Sequence, residues 1–198
     1  FWAFFPTQTL SYLPGILNAP WKLNSDRNAI IGGEWNTALM TKAAHLVAET
    51  LPSLSTADDP GRTLDAFPRR IERNDEPAAP LVFALWAHLE NASVIPDAAG
   101  TLCSAPQLHR HPQDNAGLAR QWQMLAGTSD LARVVHASCL ERQRGSRLTA
   151  LAERTGYRGQ EGQPGAQLRK LDPCTWFNAV ASTEIPKTIE TLKLAEAF

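Results

Sequence analysis

The chain has 198 residues, 43% of them apolar, and a formal net charge of −1. That is ample material for a packed core, and too even a charge for a global field that would attract nucleic acid or an anionic membrane. The longest wholly apolar run, Leu81 to Ala87, falls far short of the ~20 residues of a membrane span, and no signal-peptide pattern opens the chain, so a soluble protein is expected.

Phe1 to Phe5, "FWAFF", has the bulk of a buried strand, which Pro6 would stop. Because this apolar burst opens the chain without a methionine, a fragment of a larger multidomain protein is expected. A polar connection follows, "LPGILNAPWKLNSDRN" (Leu13 to Asn28), and Gly32-Gly33 then breaks the chain before "EWNTALMTKAAHLVAETL". In that segment Trp35, Leu39, Ala43, Leu46 and Val47 recur at helical spacing and predict the core face of a long helix, ended by Pro52. Residues 64–73 read as a short amphipathic helix. "APLVFALWAHLENA" reads as a second long one, with Leu81, Leu85, Trp86 and Leu89 inward.

"SVIPDAAGTLCSAPQLHRHP" places short apolar pieces on either side of a Gly-containing turn at Ala98 to Thr101, the pattern of a β-hairpin. Helical spacing resumes at Leu118, Trp122 and Leu125, again at Leu131, Val134, Val135 and Leu140, and again at Leu148 and Leu151. Gly156 to Gly165 reads as a flexible link, and Asp172-Pro173 as the cap and first turn of a further helix. The fold class expected is α+β and predominantly α-helical, with an N-terminal strand and loop, a central β-hairpin and several packed helices. The organisation expected is a first unit at 1–55, a helical region at 56–155 with the hairpin near 93–110, a linker at 156–171 and a C-terminal helical pair at 172–198.

The chain lacks a GxxxxGK[S/T] phosphate loop, GxGxxG, HExxH, GxSxG and any paired-carboxylate motif, so a self-contained enzyme is not expected. Cys103, Cys139 and Cys174 are odd in number, far apart and without a CxxC pair. They suggest neither a disulfide framework nor a zinc site, and point to a reducing, cytoplasmic home. His109 and His111, two apart in "LHRHP", would share a face on a strand, but no further ligand is fixed nearby and surface histidines are the simpler reading. His136 and Ser138 suggest a base and a nucleophile; two apart on a helix they would diverge. The arginines of 142–158 read as a solvated helix face, or else as a phosphate-binding patch. Trp35, Trp86, Trp122 and Trp176 read as core residues, whereas Trp21 stands in the polar loop without periodic partners.

In that loop Asn18, Lys22, Asn24, Asp26 and Arg27 supply polar groups on a segment braced by Pro14, Pro20 and Trp21. One cationic tip among donors suits an anionic ligand; a surface arginine bonded to a neighbouring carboxylate is the plainer alternative.

The succession "FWAFFPTQTLSYLPGILNAPWKLNSDRNAIIGGEWNTALMTKAAHLV" resembles the segment that follows the nucleotide-binding core in sacsin-like proteins. There an aromatic strand ending in F-P leads to LP, an asparagine-bearing stretch, a polar run ending in S/N-x-R, and a helix beginning WN. More distantly it is similar to the middle domain of the ninety-kilodalton heat-shock chaperones, which belong with it among the GHKL, Bergerat-fold ATPases. The resemblance covers about the first 50 residues. It implies that Arg27 reaches the terminal phosphate of ATP bound on an adjacent N-terminal domain, with Asn24 and Asp26 shaping the loop; Lys22 has no clear counterpart. ATP and magnesium are implied for the parent protein and none for the fragment, since the family's paired acidic residue and asparagine and its DxGxG turn are missing. "DDPGR" (Asp58 to Arg62) lacks the second glycine.

The expected function is therefore a coupling region of such an ATPase, partnered by the adjacent nucleotide domain and by a protein client or partner. The alternative is a non-catalytic helical module that binds protein or nucleic acid through residues 142–158. A hydrolase assembled from His45, His88 and Asp97 is the remotest reading.

Overall fold

Helices and two short two-stranded pairs are joined through one hydrophobic cluster that runs from Phe1 to Leu168. The structure, a computed structural model, describes residues 1–3, 6–68, 75–126, 133–157 and 168–174. It is α+β and predominantly helical, as the sequence predicts, and none of the described helices is long and apolar enough to cross a membrane.

Helix α1 (Glu34–Thr50) packs along α2 (Ala79–Leu89), so residues on both sides of position 55 share the core. In α2 the inward residues are those expected: Leu81, Leu85, Trp86 and Leu89 are all buried, and Trp86 meets Phe67 edge to face at 5.9 Å. In α1 the buried stripe is Asn36, Met40, Ala44 and Ala48, one residue later than the apolar pattern predicts. Trp35 is 49% exposed and Leu46 63%, while Leu39, Ala43 and Val47 line the edge of the core. A polar residue heads the buried stripe because its amide is needed there, as shown below.

Two other expectations change. Among the described residues 1–3 there is no regular strand: Trp2 bridges to Pro6 and to Asn18, its N–H donating to the Leu17 carbonyl at 2.8 Å, and Phe4 and Phe5 lie outside the described residues. The helix expected at 64–73 is instead a 3-10 helix at Pro60–Ala66. Phe67 leaves it in extended geometry because Pro68 excludes the helical conformation from the residue before it; 69–74 lie outside the described residues.

The hairpin forms as expected. Strand β1 (Ile95–Pro96) pairs antiparallel with β2 (Leu102–Cys103), and the connecting turn is closed by Asp97, whose Oδ1 accepts the N–H groups of Ala99 and Thr101 at 2.9 and 2.8 Å. Gly100 supplies the left-handed residue that this turn requires, φ +87°. Strand β3 (His109–Arg110) pairs parallel with β4 (Arg169–Lys170), so the end of the stretch expected to be a linker is part of the fold, with Leu168 buried. Helix α3 (Ala116–Ala126) starts under an Asn115 cap, as its side chain accepts from the N–H of Gly117 and Leu118.

Val134 and Val135 are extended, not helical. Val135 donates to the His109 carbonyl and His136 to that of Pro96, both at 2.9 Å, so the segment ties the hairpin to β3. A β-branched pair favours extended backbone, and these bonds decide it. A 3-10 helix at Ala137–Leu140 then leads into α4 (Arg144–Tyr157), in which Leu148 and Leu151 are fully buried as expected. Pro173 and Cys174 enter helical geometry; the remainder of the expected C-terminal pair, with Trp176, lies outside the described residues.

The two 3-10 helices touch through Gly61 and Ser138. The Gly61 N–H donates to Ser138 Oγ at 2.9 Å, and a Cβ at Gly61 would sit 2.5 Å from that oxygen and 2.9 Å from the Ser138 carbonyl carbon. Gly61→Ala is expected to destabilise the chain by about 1–3 kcal/mol through this overlap with backbone. A thermal melt indistinguishable from wild type would show that the contact can relax.

Candidate functional site

Arg27 stands at the tip of a small hairpin-like loop. Leu23 and Ile30 form an antiparallel bridge at its base, and the Asn24 N–H donates to the Ala29 carbonyl at 3.0 Å. Asn24 fills the inside: its Oδ1 accepts the N–H of Asn28 and of Ala29 at 3.0 and 3.1 Å, and its Nδ2 donates to Asn28 Oδ1 at 2.8 Å. A side chain that satisfies the turn's own amides leaves Ser25, Asp26 and Arg27 exposed at the apex. Asn24 thus holds the turn from inside, whereas Asp26 makes a 3.4 Å contact with Ser25 Oγ and is exposed.

Arg27 adopts φ +58°, in the left-handed region that costs a non-glycine residue about 1–2 kcal/mol. Among the described residues no carboxylate or carbonyl pairs with its guanidinium, which excludes, within that part of the chain, the arginine–carboxylate alternative for this loop. Beside the apex lies an open hollow of about 530 Å³ bounded by Ala3, Pro20, Trp21, Leu23 and Arg27.

The tryptophans exchange the roles the sequence suggests. Trp21 is 6% exposed, set edge to face on Phe1 at 5.0 Å with its indole N–H donating to the Leu17 carbonyl. Trp35 lies outside, its indole N–H donating to the Pro20 carbonyl at 3.0 Å and its ring under Lys22 Nζ at 5.6 Å. Lys22, which had no clear role, is thus a cation laid over an exposed aromatic face.

The arginines of 142–158 are largely turned inward. Arg144 is 2% exposed; its guanidinium donates to both oxygens of Asp59 at 2.6 and 2.7 Å, to both of Asp65 at 2.9 and 2.6 Å, and to the Ser138 carbonyl. Arg147 donates to the Leu64 carbonyl at 2.8 Å, and Arg154 stacks on Trp86 at 5.3 Å. Arg142 is exposed and Arg158 is outside the described residues. The segment is an internal fastening, and a continuous phosphate-binding face on it is not what the geometry offers.

His136 and Ser138 do meet, with 2.7 Å between Nδ1 and Oγ, because this segment is not a helix. Nδ1 also accepts the Ser138 N–H at 3.1 Å, and Ser138 Oγ accepts that of Gly61, so the pair caps a 3-10 turn inside the fold with Ser138 8% exposed. His45 and His88 stack at 5.2 Å across α1 and α2, while Asp97 spends its carboxylate on turn amides. Among the described residues no three His, Cys, Asp or Glu are grouped so as to hold a metal ion.

His109 and His111 do not share a face: His109 is exposed, and His111 is 2% exposed with Nε2–H donating to the Val135 carbonyl at 3.1 Å. Burial depresses the His111 pKa to about 4, and burial also lowers that of His136. Since the unfolded imidazole titrates near 6.5, the unfolded chain binds protons first as pH falls. The histidine contribution is therefore full above about pH 7, declines between 6.5 and 4, and is spent below that, with a loss of up to ~3 kcal/mol from His111. Melts between pH 7.5 and 4.5 should show this slope, and His111→Gln, which keeps a donor for Val135, should flatten it. An unchanged slope would clear His111.

Comparison of the chain with protein-family models, with curated proteins and with solved structures finds no match in any of the three.

Proposed function

We propose that this chain is a cytoplasmic coupling region of a sacsin-like or heat-shock-chaperone-like ATPase, presenting Arg27 to the terminal phosphate of ATP held on an adjacent N-terminal domain. The observation that carries the reading is Arg27 itself: an arginine kept in a left-handed conformation at an ordered loop apex, its guanidinium open to solvent, where glycine would be less strained. Tyr12 and the exposed Arg142 share the left-handed conformation, so what supports a role outside the fold is its combination, at Arg27, with an apex shaped from inside by Asn24 and a guanidinium without a carboxylate among the described residues. A guanidinium brought to a phosphoryl group by domain closure supplies two parallel N–H donors and a charge that solvent cannot neutralise, and it acts chiefly on the charge that develops during transfer.

The resemblance of the first 50 residues to that family supports the same role, and magnesium and the adenine pocket belong, on this reading, to the neighbouring domain. A protein client or partner would be moved by the helices beyond the loop. The rival reading, a non-catalytic helical module that binds protein or nucleic acid through residues 142–158, is less well supported because Arg144 and Arg147 turn inward. Steady-state ATP hydrolysis by a chain that includes the nucleotide domain, with and without Arg27, tests the proposal; equal turnover would end it.

A further inference from the structure

Asn36 is 2% exposed at the start of α1, and every hydrogen bond its amide makes is to the base of the Arg27 loop. Its Oδ1 accepts the Lys22 N–H at 2.9 Å; its Nδ2 donates to the Lys22 carbonyl at 2.8 Å and to the Ile31 carbonyl at 2.8 Å. Lys22 and Ile31 are the residues flanking the Leu23–Ile30 bridge, and the Ile31 N–H in turn donates to the Lys22 carbonyl at 3.2 Å. One side chain thus closes both strands of the base from the helix side. On the other side the entering segment braces the loop: the Gln8 N–H donates to the Asn28 carbonyl at 2.7 Å, and Thr9 Oγ1 accepts the Ile30 N–H at 3.0 Å.

We infer that Asn36 is the positioning residue of the Arg27 loop, fixing its base to α1 so that loop and helix move as one body. The role in turnover rests on the phosphate-directed reading of Arg27; the mechanical role does not. A buried amide whose three bonds all go to one loop base has a task that the core alone does not set, since an apolar residue would fill the same stripe alongside Met40, Ala44 and Ala48. With the base fixed on both sides, displacement of α1 on nucleotide-domain closure would carry the arginine with it. With Asn36 removed, the Ile31 carbonyl and the Lys22 amide lose their partner, the Lys22 carbonyl keeps only the Ile31 N–H, and the apex loses its reference to the helix.

Amide hydrogen exchange on the 198-residue chain is the first measurement. Asn36→Ala should speed exchange at Lys22, Asn24 and Ile31 about tenfold or more, and Asn36→Asp, which keeps the acceptor for the Lys22 N–H but turns an oxygen toward two carbonyls, should speed it at Asn24 and Ile31, while the α2 amides of Leu85 and Leu89 shift only with global stability. Met40→Ala, on the same helix stripe, is the control. It should raise exchange globally without singling out the loop. Loop amides that keep their wild-type rates in both Asn36 variants, or that respond equally to Met40→Ala, overturn the inference.

The second measurement is a cycle in the nucleotide-domain-containing chain. Asn36→Asp should lower kcat with little change in KM, and should have no further effect once Arg27 is alanine; additive losses would show that Asn36 acts otherwise than through Arg27. Loosened loop amides together with turnover indifferent to Arg27→Ala would retain the positioning role and end the phosphate reading, so the two failures are distinct.

Discussion

Arg144→Ala is expected to cost about 2–3 kcal/mol, because it removes a buried side chain together with its bonds to three elements, while the two carboxylates, 38% and 42% exposed, are left to water. All five guanidinium N–H groups are spent inside the fold, four bonds to Asp59 and Asp65 and one to the Ser138 carbonyl. The side chain also joins three elements, the 3-10 helix at Pro60–Ala66, the one at Ala137–Leu140 and the start of α4. Denaturant unfolding of the variant should show the loss, and a second set separates charge from packing. Arg144→Met combined with Asp59→Asn and Asp65→Asn removes all three charges together and refills part of the buried volume, so it should recover part of the loss; no recovery would place the loss in the hydrogen bonds to Asp59, Asp65 and Ser138.

The pair also sets an acid limit. Hydrogen bonds from Arg144 hold both carboxyls below the ordinary value of 3.8, so their contribution is present above that value and is lost only as pH falls through the lower folded values. This step lies beneath the histidine window. A single acid transition spanning both ranges in wild type, unchanged in Arg144→Met, would refute the assignment.

Arg27→Ala should act in the opposite manner, leaving the fold and removing turnover. If Arg27 meets the transferred phosphoryl group as proposed, Arg27→Ala in a chain that includes the nucleotide domain should lower kcat by roughly 10²-fold or more, with a smaller effect on nucleotide affinity. The melting temperature should stay nearly constant, since the apex makes no core contact. Arg27→Gly should melt at the same temperature or slightly higher, by up to about 1 kcal/mol, as it relieves the left-handed residue. Arg27→Lys should rescue turnover poorly, an ammonium being unable to reproduce the planar two-pronged contact. A large fall in melting temperature in Arg27→Ala would make the residue a structural anchor.

Much of the helical framework can be read from local pattern. The stripe of α2, the buried leucines of α4 and the turn between β1 and β2 depend on residues within a few positions of each other, so periodicity and turn chemistry reveal them. The Arg27 loop was legible for the same reason, as a polar, proline-braced stretch. What was illegible depends on partners far along the chain. An apolar count along α1 selects Trp35 because it cannot know that Lys22 and Ile31 need the amide of Asn36. Trp21 looks displayed until Phe1 covers it. Arg144 reads as a solvated charge because its carboxylates lie 85 and 79 residues away. Val134 and Val135 fit a helical spacing until the carbonyls of Pro96 and His109 claim the neighbouring amides.

The meeting of Gly61 with Ser138 also carries a consequence in time. It joins residues 77 apart, whereas α1 and α2 meet across a shorter span, as at His45 and His88. Closing the longer loop costs about 4 kcal/mol of chain entropy before any bond rewards it, and the longer span favours a junction made after the helical pair. A seal made after the rate-limiting barrier does not hasten assembly; it governs how long the assembled chain endures. The cost of Gly61→Ala should accordingly appear as faster unfolding at an almost unaltered folding rate, so that the lifetime of the folded state is governed where two short helical turns touch.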